Sequence, residues 1–318
     1  MPSSEVILRF KDVSKEYNNK LVLNNINLEV YKGEILGILG GSGSGKTTLL
    51  STLIGFVEPT KGDIEYKKDN EFSSVYDNIN DVRQIFGFAA QNPSFYSRLN
   101  VKDNLNYFGE LLNVKKDTRQ KNVKALLSMM KLANDENTPA KNLSGAMQKR
   151  LDIACSLIHA PKVLILDEPT AELDPILRGD MWDLIKSIQR RGTSIIIASH
   201  FLKELGTMCD RLVIIDKGKI LDTGTPDEIT ERYSKNMEIQ LETSQRKYAS
   251  IIKKLTKKAD IVKAYNKKNR LIIYTPKAEK TLHALLHIIE DTNQTLLDID
   301  VNKPNLNEVF ESLTKGKL

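Results

Sequence analysis

Gly40-Gly41-Ser42-Gly43-Ser44-Gly45-Lys46-Thr47 fits the pattern G-x-x-x-x-G-K-[ST], whose chemistry is the cradling of a polyphosphate. Glycines let backbone N–H groups turn inward on an anion. A lysine at this spacing reaches the β/γ-phosphates, and the following hydroxyl, here Thr47, suits Mg²⁺. The helix-compatible run that opens at Thr48 adds its positive dipole end, so Gly40–Thr48 is the expected site for a nucleoside triphosphate. A flexible Gly/Ser linker has a similar composition. It would not be flanked by a buried-type strand, Ile35–Leu39, on one side and a helix on the other.

A second constellation lies further along. Val163-Leu164-Ile165-Leu166 is an apolar run that ends in Asp167 and Glu168. After a phosphate loop, the first acid is expected in the Mg²⁺ shell. The second stands where a carboxylate would polarise an attacking water. A strand that merely ends in solvated acids is the plain alternative, and the preceding loop argues against it.

These groups need elements to hold them. Val6–Phe10 and Leu21–Val30 read as strands, joined by a turn at Asn18-Asn19. Strand Ile35–Leu39, helix Thr48–Ile54 ended by Gly55, and a short strand Asp63–Tyr66 follow. Residues 67–80 are polar and weakly patterned and read as a surface loop. From about Phe95 to Leu151 the apolar residues recur at helical spacing. Ser194–Ala198 is a second continuous apolar run, and the helix-like Ile176–Gln189 links it to Val163–Leu166 as a βαβ unit. From Met237 the order becomes strand, helix, strand, strand, helix, strand, with a terminal helix expected at Leu306–Thr314. That order suggests a small α+β sandwich of ferredoxin-like type.

Leu143-Ser144-Gly145-Ala146-Met147-Gln148 resembles the signature sequence of ATP-binding-cassette (ABC) ATPases. There the signature sets a helix N-terminus, here Ser144 and Gly145, against the γ-phosphate of ATP held by a partner subunit. Ala146 stands where the usual pattern has a second glycine. Gln91 resembles the glutamine that senses Mg²⁺ and water and links to the helical subdomain. Ala171–Pro175 resembles the loop that crosses the dimer interface, with Glu172 in place of a small residue. His200 resembles the switch histidine that contacts the γ-phosphate and orients Glu168. Tyr17 occupies the place of the adenine-stacking aromatic, although a simple strand-end tyrosine would look the same.

The resemblance covers about residues 5–234. It implies a P-loop NTPase of ABC type, with a mixed α/β sheet core and a helical subdomain at about 92–155. Residues 235–318 form the accessory C-terminal α+β domain. Pro304–Phe310 with Leu313-Thr314 resembles the terminal signature of drug- and sodium-export-type members, which implies an exporter. The resemblance implies ATP and Mg²⁺ as cofactors and either a homodimer or a paired ATPase subunit. It also implies a separate membrane permease. Phe95, Tyr96 and Leu99 are candidates for the permease contact or for the core of the helical subdomain.

Composition agrees with this reading. The chain has 318 residues, 40% hydrophobic and 28% charged, which suits about two globular domains. No apolar run approaches the ~18 residues of a membrane span, and the N-terminus lacks a signal-peptide core. The expected location is therefore cytoplasmic, on the inner face of the membrane through the permease. Cys155 and Cys209 lack metal-like spacing and read as small buried side chains. Residues 235–318 hold 16 basic and 10 acidic residues, which accounts for the whole net charge of +6. That excess would suit an anionic surface, or simply a solvated lysine-rich face. His283 and His287 have metal-ligand spacing but no third ligand, and read as a surface pair.

The rival reading is a non-transport ABC ATPase acting on ribosomes or nucleic acid. DNA-repair members insert hundreds of residues between the halves of the ATPase, whereas 52 positions separate Gln91 from Leu143. Translation-factor members usually carry two cassettes. No direct nucleic-acid contact is expected here.

Overall fold

The structure is a computed structural model of the chain and describes residues 4–233 and 237–302. These divide into two compact units, one ending at Thr225 and one beginning at Pro226.

The first unit opens with a hairpin of β1 (Val6–Tyr17) and β2 (Lys20–Tyr31). Asn18 and Asn19 form its turn with φ of 48° and 62°. A type I′ turn needs two such left-handed residues, and asparagine tolerates them. The chain then crosses to β3 (Ile35–Leu39), buried at every position, and runs through the phosphate loop into α1 (Lys46–Leu53). The polar segment after β4 (Lys61–Lys68) is not a simple loop. It contains β5 (Glu71–Ser74) and the start of α2 (Ile79–Ile85), whose first turn Asn78 caps. A solvated edge strand has little apolar patterning to reveal it, and Phe72 finds its partner in the guanidinium of Arg9, 3.9 Å from the ring centroid.

After β6 (Phe86–Ala89) come α3 (Val101–Leu111), α4 (Lys116–Met129) and α5 (Gly145–Leu157), which make up the helical subdomain. Its entry loop is organised by buried Asn104, whose amide donates to the carbonyls of Tyr96, Leu99 and Asn100 and accepts from Tyr96 N–H. Then follow β7 (Val163–Asp167), α6 (Pro175–Gln189), β8 (Ser194–Ser199), α7 (Leu202–Met208), β9 (Arg211–Asp216) and β10 (Lys219–Gly224).

Two sheets result. One is antiparallel, in the order β2-β1-β4-β5; the other runs β10-β9-β3-β8-β7-β6 and is parallel except for β10. One apolar core joins them. It takes in Leu8, Phe10, Leu23 and Ile26 from the first sheet, Ile38, Ile165, Ile196 and Val213 from the second, and Leu49 and Leu50 from α1. Register decides the site: Leu39 pairs with Ser199, and Asp167 with Ala198. The carboxyl ends of β3, β7 and β8 therefore lie side by side. Each carries one of the chemical groups read from the sequence, as ligand sites in open parallel sheets require.

The second unit begins with α8 (Pro226–Tyr233), so this helix belongs with the second unit rather than closing the first. It continues with β11 (Met237–Thr243), α9 (Tyr248–Leu255), β12 (Lys263–Lys267), β13 (Arg270–Thr275), α10 (Ala278–Asp291) and β14 (Leu296–Asn302). The sheet order is β12-β13-β11-β14, antiparallel throughout, which is the ferredoxin-like split βαβ arrangement. Ile239, Leu241, Leu271 and Ile273 pack against Ile251, Leu255, Leu285 and Ile288 of the two helices. His283 and His287 are exposed on α10, and no group of three metal-ligating side chains occurs among the described residues. The expected helix at Leu306–Thr314 and the terminal motif lie outside the described residues. Cys155 and Cys209 are both buried and free.

Candidate nucleotide-binding and hydrolytic site

The loop from Gly40 to Gly45 turns in a way that most residues could not follow. Gly45, the N-cap of α1, has φ 109°, a backbone that an L side chain rarely adopts. At Gly40 a Cβ would come within 2.3 Å of Ser44 Oγ and 2.7 Å of the Ile215 carbonyl oxygen. No side chain caps the first turn of α1, so its N–H groups point outward as anion donors. Ser44 Oγ is buried without a hydrogen-bond partner among the described residues. Lys46 Nζ donates to the carbonyls of Gly40 at 2.9 Å and Gly41 at 3.2 Å and lies 3.8 Å from Glu168 Oε1. Uncapped N–H groups, an orphaned hydroxyl and a buried ammonium are what a bound phosphate group needs.

The acids at the end of β7 have separate environments. Thr47 Oγ1 donates to Asp167 Oδ2 at 3.2 Å. Burial pushes the Asp167 carboxyl above the usual carboxylate range, and the Thr47 hydroxyl opposes the shift. Glu168 is 7% exposed and its backbone sits at φ 52°, a left-handed conformation that is strained for a side chain of this kind. Its oxygens accept from Ser199 Oγ at 3.2 Å and from His200 Nδ1 at 3.0 Å each. A carboxylate can only accept, so Nδ1 carries the proton of that bond.

Lys46, Glu168 and His200 are thus linked by direct contacts, and Thr47 and Asp167, their neighbours in the chain, form a second bonded pair. Other expected site residues stand apart. Ser144 caps α5, accepting from Met147 N–H at 3.3 Å, and is exposed together with Gly145. No hydrogen bond or ion pair among the described residues joins either to the phosphate loop. Ala146 is buried, so its methyl group fills the subdomain and leaves the Ser144–Gly145 face open. The side chain of Gln91 is exposed, and its carbonyl accepts from Lys149 Nζ of α5. Tyr17 is 42% exposed, with Lys15 Nζ 5.0 Å from its ring centroid. Thr48 is half-buried in the first turn of α1, and Asp174 caps α6 by accepting from Ile176 and Leu177 N–H.

Sequence reasoning missed several residues around the site. Ser199 belongs to no motif, and its hydroxyl reaches Glu168 only because β8 ends beside β7. Asp152 of α5 is buried and accepts from the N–H and the hydroxyl of Ser94, which ties the segment after Gln91 to the signature helix. An acid on the inner face of a helix was the available signal. Burial pushes the Asp152 carboxyl above its ordinary range, against the bonds from Ser94. At neutral pH the ionised form is the one that burial disfavours, so Asp152 subtracts stability there. The penalty fades as pH falls through the raised value. Asp152→Asn keeps an acceptor for Ser94 and is expected to raise Tm by a few degrees at neutral pH, with the gain shrinking in acid. Scanning calorimetry at two pH values checks this; an equal gain at both would refute the electrostatic cause.

A phosphate loop, an Asp–Glu pair and a histidine on adjacent parallel strand ends define a P-loop nucleotide hydrolase. A family model described as ABC transporter matches residues 23–171. The Nod factor export ATP-binding protein I of Burkholderia lata is 36% identical over 70% of this chain and 72% of its own length. The daunorubicin resistance ATP-binding protein DrrA3 of Streptomyces coeruleorubidus is 30% identical over 94% of this chain and 93% of its own. Relatives matched over 70–71% of the chain include import as well as export proteins. Among solved structures, cbiO1 of Clostridium perfringens, part of the ABC transporter complex cbiONQ, aligns with a TM-score of 0.66 at 30% identity. That alignment covers 72% of this chain and 92% of the other. The chain belongs to the ABC transporter family, as an ATP-binding subunit that hydrolyses ATP.

Proposed function

We propose that this subunit drives a separate membrane permease in the export direction, through a dimer that closes on ATP. The observation that carries the dimer is that the chain has one phosphate loop and one exposed Ser144–Gly145 helix cap, with no hydrogen bond or ion pair among the described residues joining them. In a two-fold dimer each loop would face the partner's cap, completing two equivalent sites.

We assign the roles as follows. Lys46 and the N–H groups of Gly41 to Thr48 hold the phosphates, with Ser42, Gly43 and Ser44 shaping the loop. Tyr17 offers a ring face to the base. Thr47, Asp167 and Gln91 would hold Mg²⁺, which would supply charge neutralisation at the phosphates. Glu168 orients the attacking water and His200 fixes Glu168.

Export is favoured by the relative aligned across both units, which is a drug-resistance protein; the nucleotide site itself carries no direction. No helix among the described residues is long and apolar enough to cross a membrane. Tyr96 is half exposed, edge-on to Tyr107 at 4.7 Å, and is the surface we assign to the permease. A role on ribosomes or nucleic acid has no comparable observation behind it. Purification from detergent-solubilised membranes should recover the chain bound to a polytopic membrane protein. Lys46→Ala should keep that association and Tyr96→Glu should abolish it. Recovery of the chain alone in every case would overturn the reading.

A further inference from the structure

We propose that Glu204 is a positioning residue for hydrolysis, acting through His200. The proposal rests on the roles just given to Glu168 and His200.

Glu204 lies in the first turn of α7. Its Oε2 accepts from Thr170 Oγ1 at 2.8 Å and from Trp182 Nε1 at 3.0 Å, and its Oε1 accepts from Arg178 Nη1 at 3.2 Å. Each donor comes from a segment that matters to the site. Thr170 is two residues beyond Glu168. Arg178 and Trp182 are four apart, on one face of α6. Arg178 also holds the intervening loop, donating from Nε to the Leu173 carbonyl at 2.7 Å. Its guanidinium stands 4.4 Å from the Phe201 ring centroid, and that ring packs against His200 with centroids 4.0 Å apart and planes tilted by 37°. One carboxylate thus joins the loop after Glu168, the start of α6 and the platform beneath His200.

Two features make this more than packing. The loop it braces contains two strained residues, Glu168 at φ 52° and Glu172 at φ 67°, and such backbone persists only when its surroundings restrain it. The His200 side chain is 53% exposed, and the contacts that fix its ring are Glu168 and Phe201. Phe201 in turn is seated by Arg178, whose direction Glu204 sets.

A plain structural role would satisfy Trp182 and Thr170 and no more. The two roles separate by a double-mutant cycle on the full chain with Mg²⁺ and ATP. Glu204→Gln keeps the shape but turns an NH₂ group toward at least one of three donors. We expect kcat to fall about tenfold, with ATP affinity within about twofold of wild type. In a His200→Ala background the same substitution should change kcat by less than about twofold, because the route through His200 is already gone. Arg178→Lys, which loses the planar fork that spans Leu173 and Glu204, should repeat the pattern if Glu204→Gln fails to fold. Equal losses in both backgrounds, or an unchanged kcat in Glu204→Gln, would overturn the proposal and leave His200 in place. A wild-type kcat in His200→Ala alone would instead remove the underlying reading, and this proposal with it.

Discussion

Glu168→Gln is expected to cut ATP turnover by about 10³-fold while ATP binding survives. Glutamine keeps the side-chain length and can still accept from His200 Nδ1 or Ser199 Oγ, so the local packing is spared. What disappears is the charge that, in the proposed role, would draw a proton from water. The phosphate loop, Lys46 and the first turn of α1 are untouched, so nucleotide affinity should stay within about threefold. Hydrolysis is also the step that would reopen the dimer. Binding without hydrolysis should therefore trap a dimer on size-exclusion chromatography in ATP, where wild type runs mainly as monomer at steady state. Turnover at the wild-type rate would remove Glu168 from the chemistry. Loss of turnover without a trapped dimer would keep the chemistry and remove the proposed link to assembly.

Complementation between two dead variants is the second large effect. Lys46→Ala removes the buried ammonium that would face the phosphates, and Ser144→Arg fills the exposed cap of α5 with a bulky cation. Each homodimer should lose ATPase activity by at least about 10²-fold, since both composite sites are broken in each. Mixing them changes the arithmetic. In the heterodimer, the intact loop of the Ser144→Arg chain meets the intact cap of the Lys46→Ala chain. One good site is restored and the other is doubly broken. With random pairing and independent sites, an equimolar mixture should recover about a quarter of wild-type activity. A mixture as inactive as its components would mean either that both sites must fire together or that the sites are not shared. Variants that retain activity separately would refute the shared site directly.

Much of this was readable in the residues because the chemistry depends on local spacing. The loop needs its glycines at fixed intervals, and the acids must end a buried strand. A βαβ unit built from Val163–Leu166 and Ser194–Ala198 puts those strand ends at one edge. The same logic gave the order of the second unit, because its strands and helices alternate with clear periods. The hidden parts lacked such a period. β5 has one apolar residue to show, and β6 is a four-residue stretch inside a longer apolar region. β9 is a short apolar run with no chemical motif beside it.

The brace around Glu204 was hidden for another reason. Its donors lie 34, 26 and 22 positions away in the chain, and only the fold brings them together. The spacing of Arg178 and Trp182 on one helix face was the sole local trace. Backbone strain is equally silent in sequence: nothing about the letters Asp-Glu-Pro announces a left-handed residue.

That strained residue sets two demands against each other. At φ 52°, position 168 would suit glycine or asparagine better, by roughly 1–2 kcal/mol. Folding alone would not choose a glutamate there; the proposed hydrolytic role would. Every folded copy therefore gives up a small part of its thermodynamic margin to keep a carboxylate beside His200. A domain of ordinary stability has only about 5–15 kcal/mol in reserve, so residues that restore that margin elsewhere, such as the well-packed interior of β3, β7 and β8, are part of what lets the site exist.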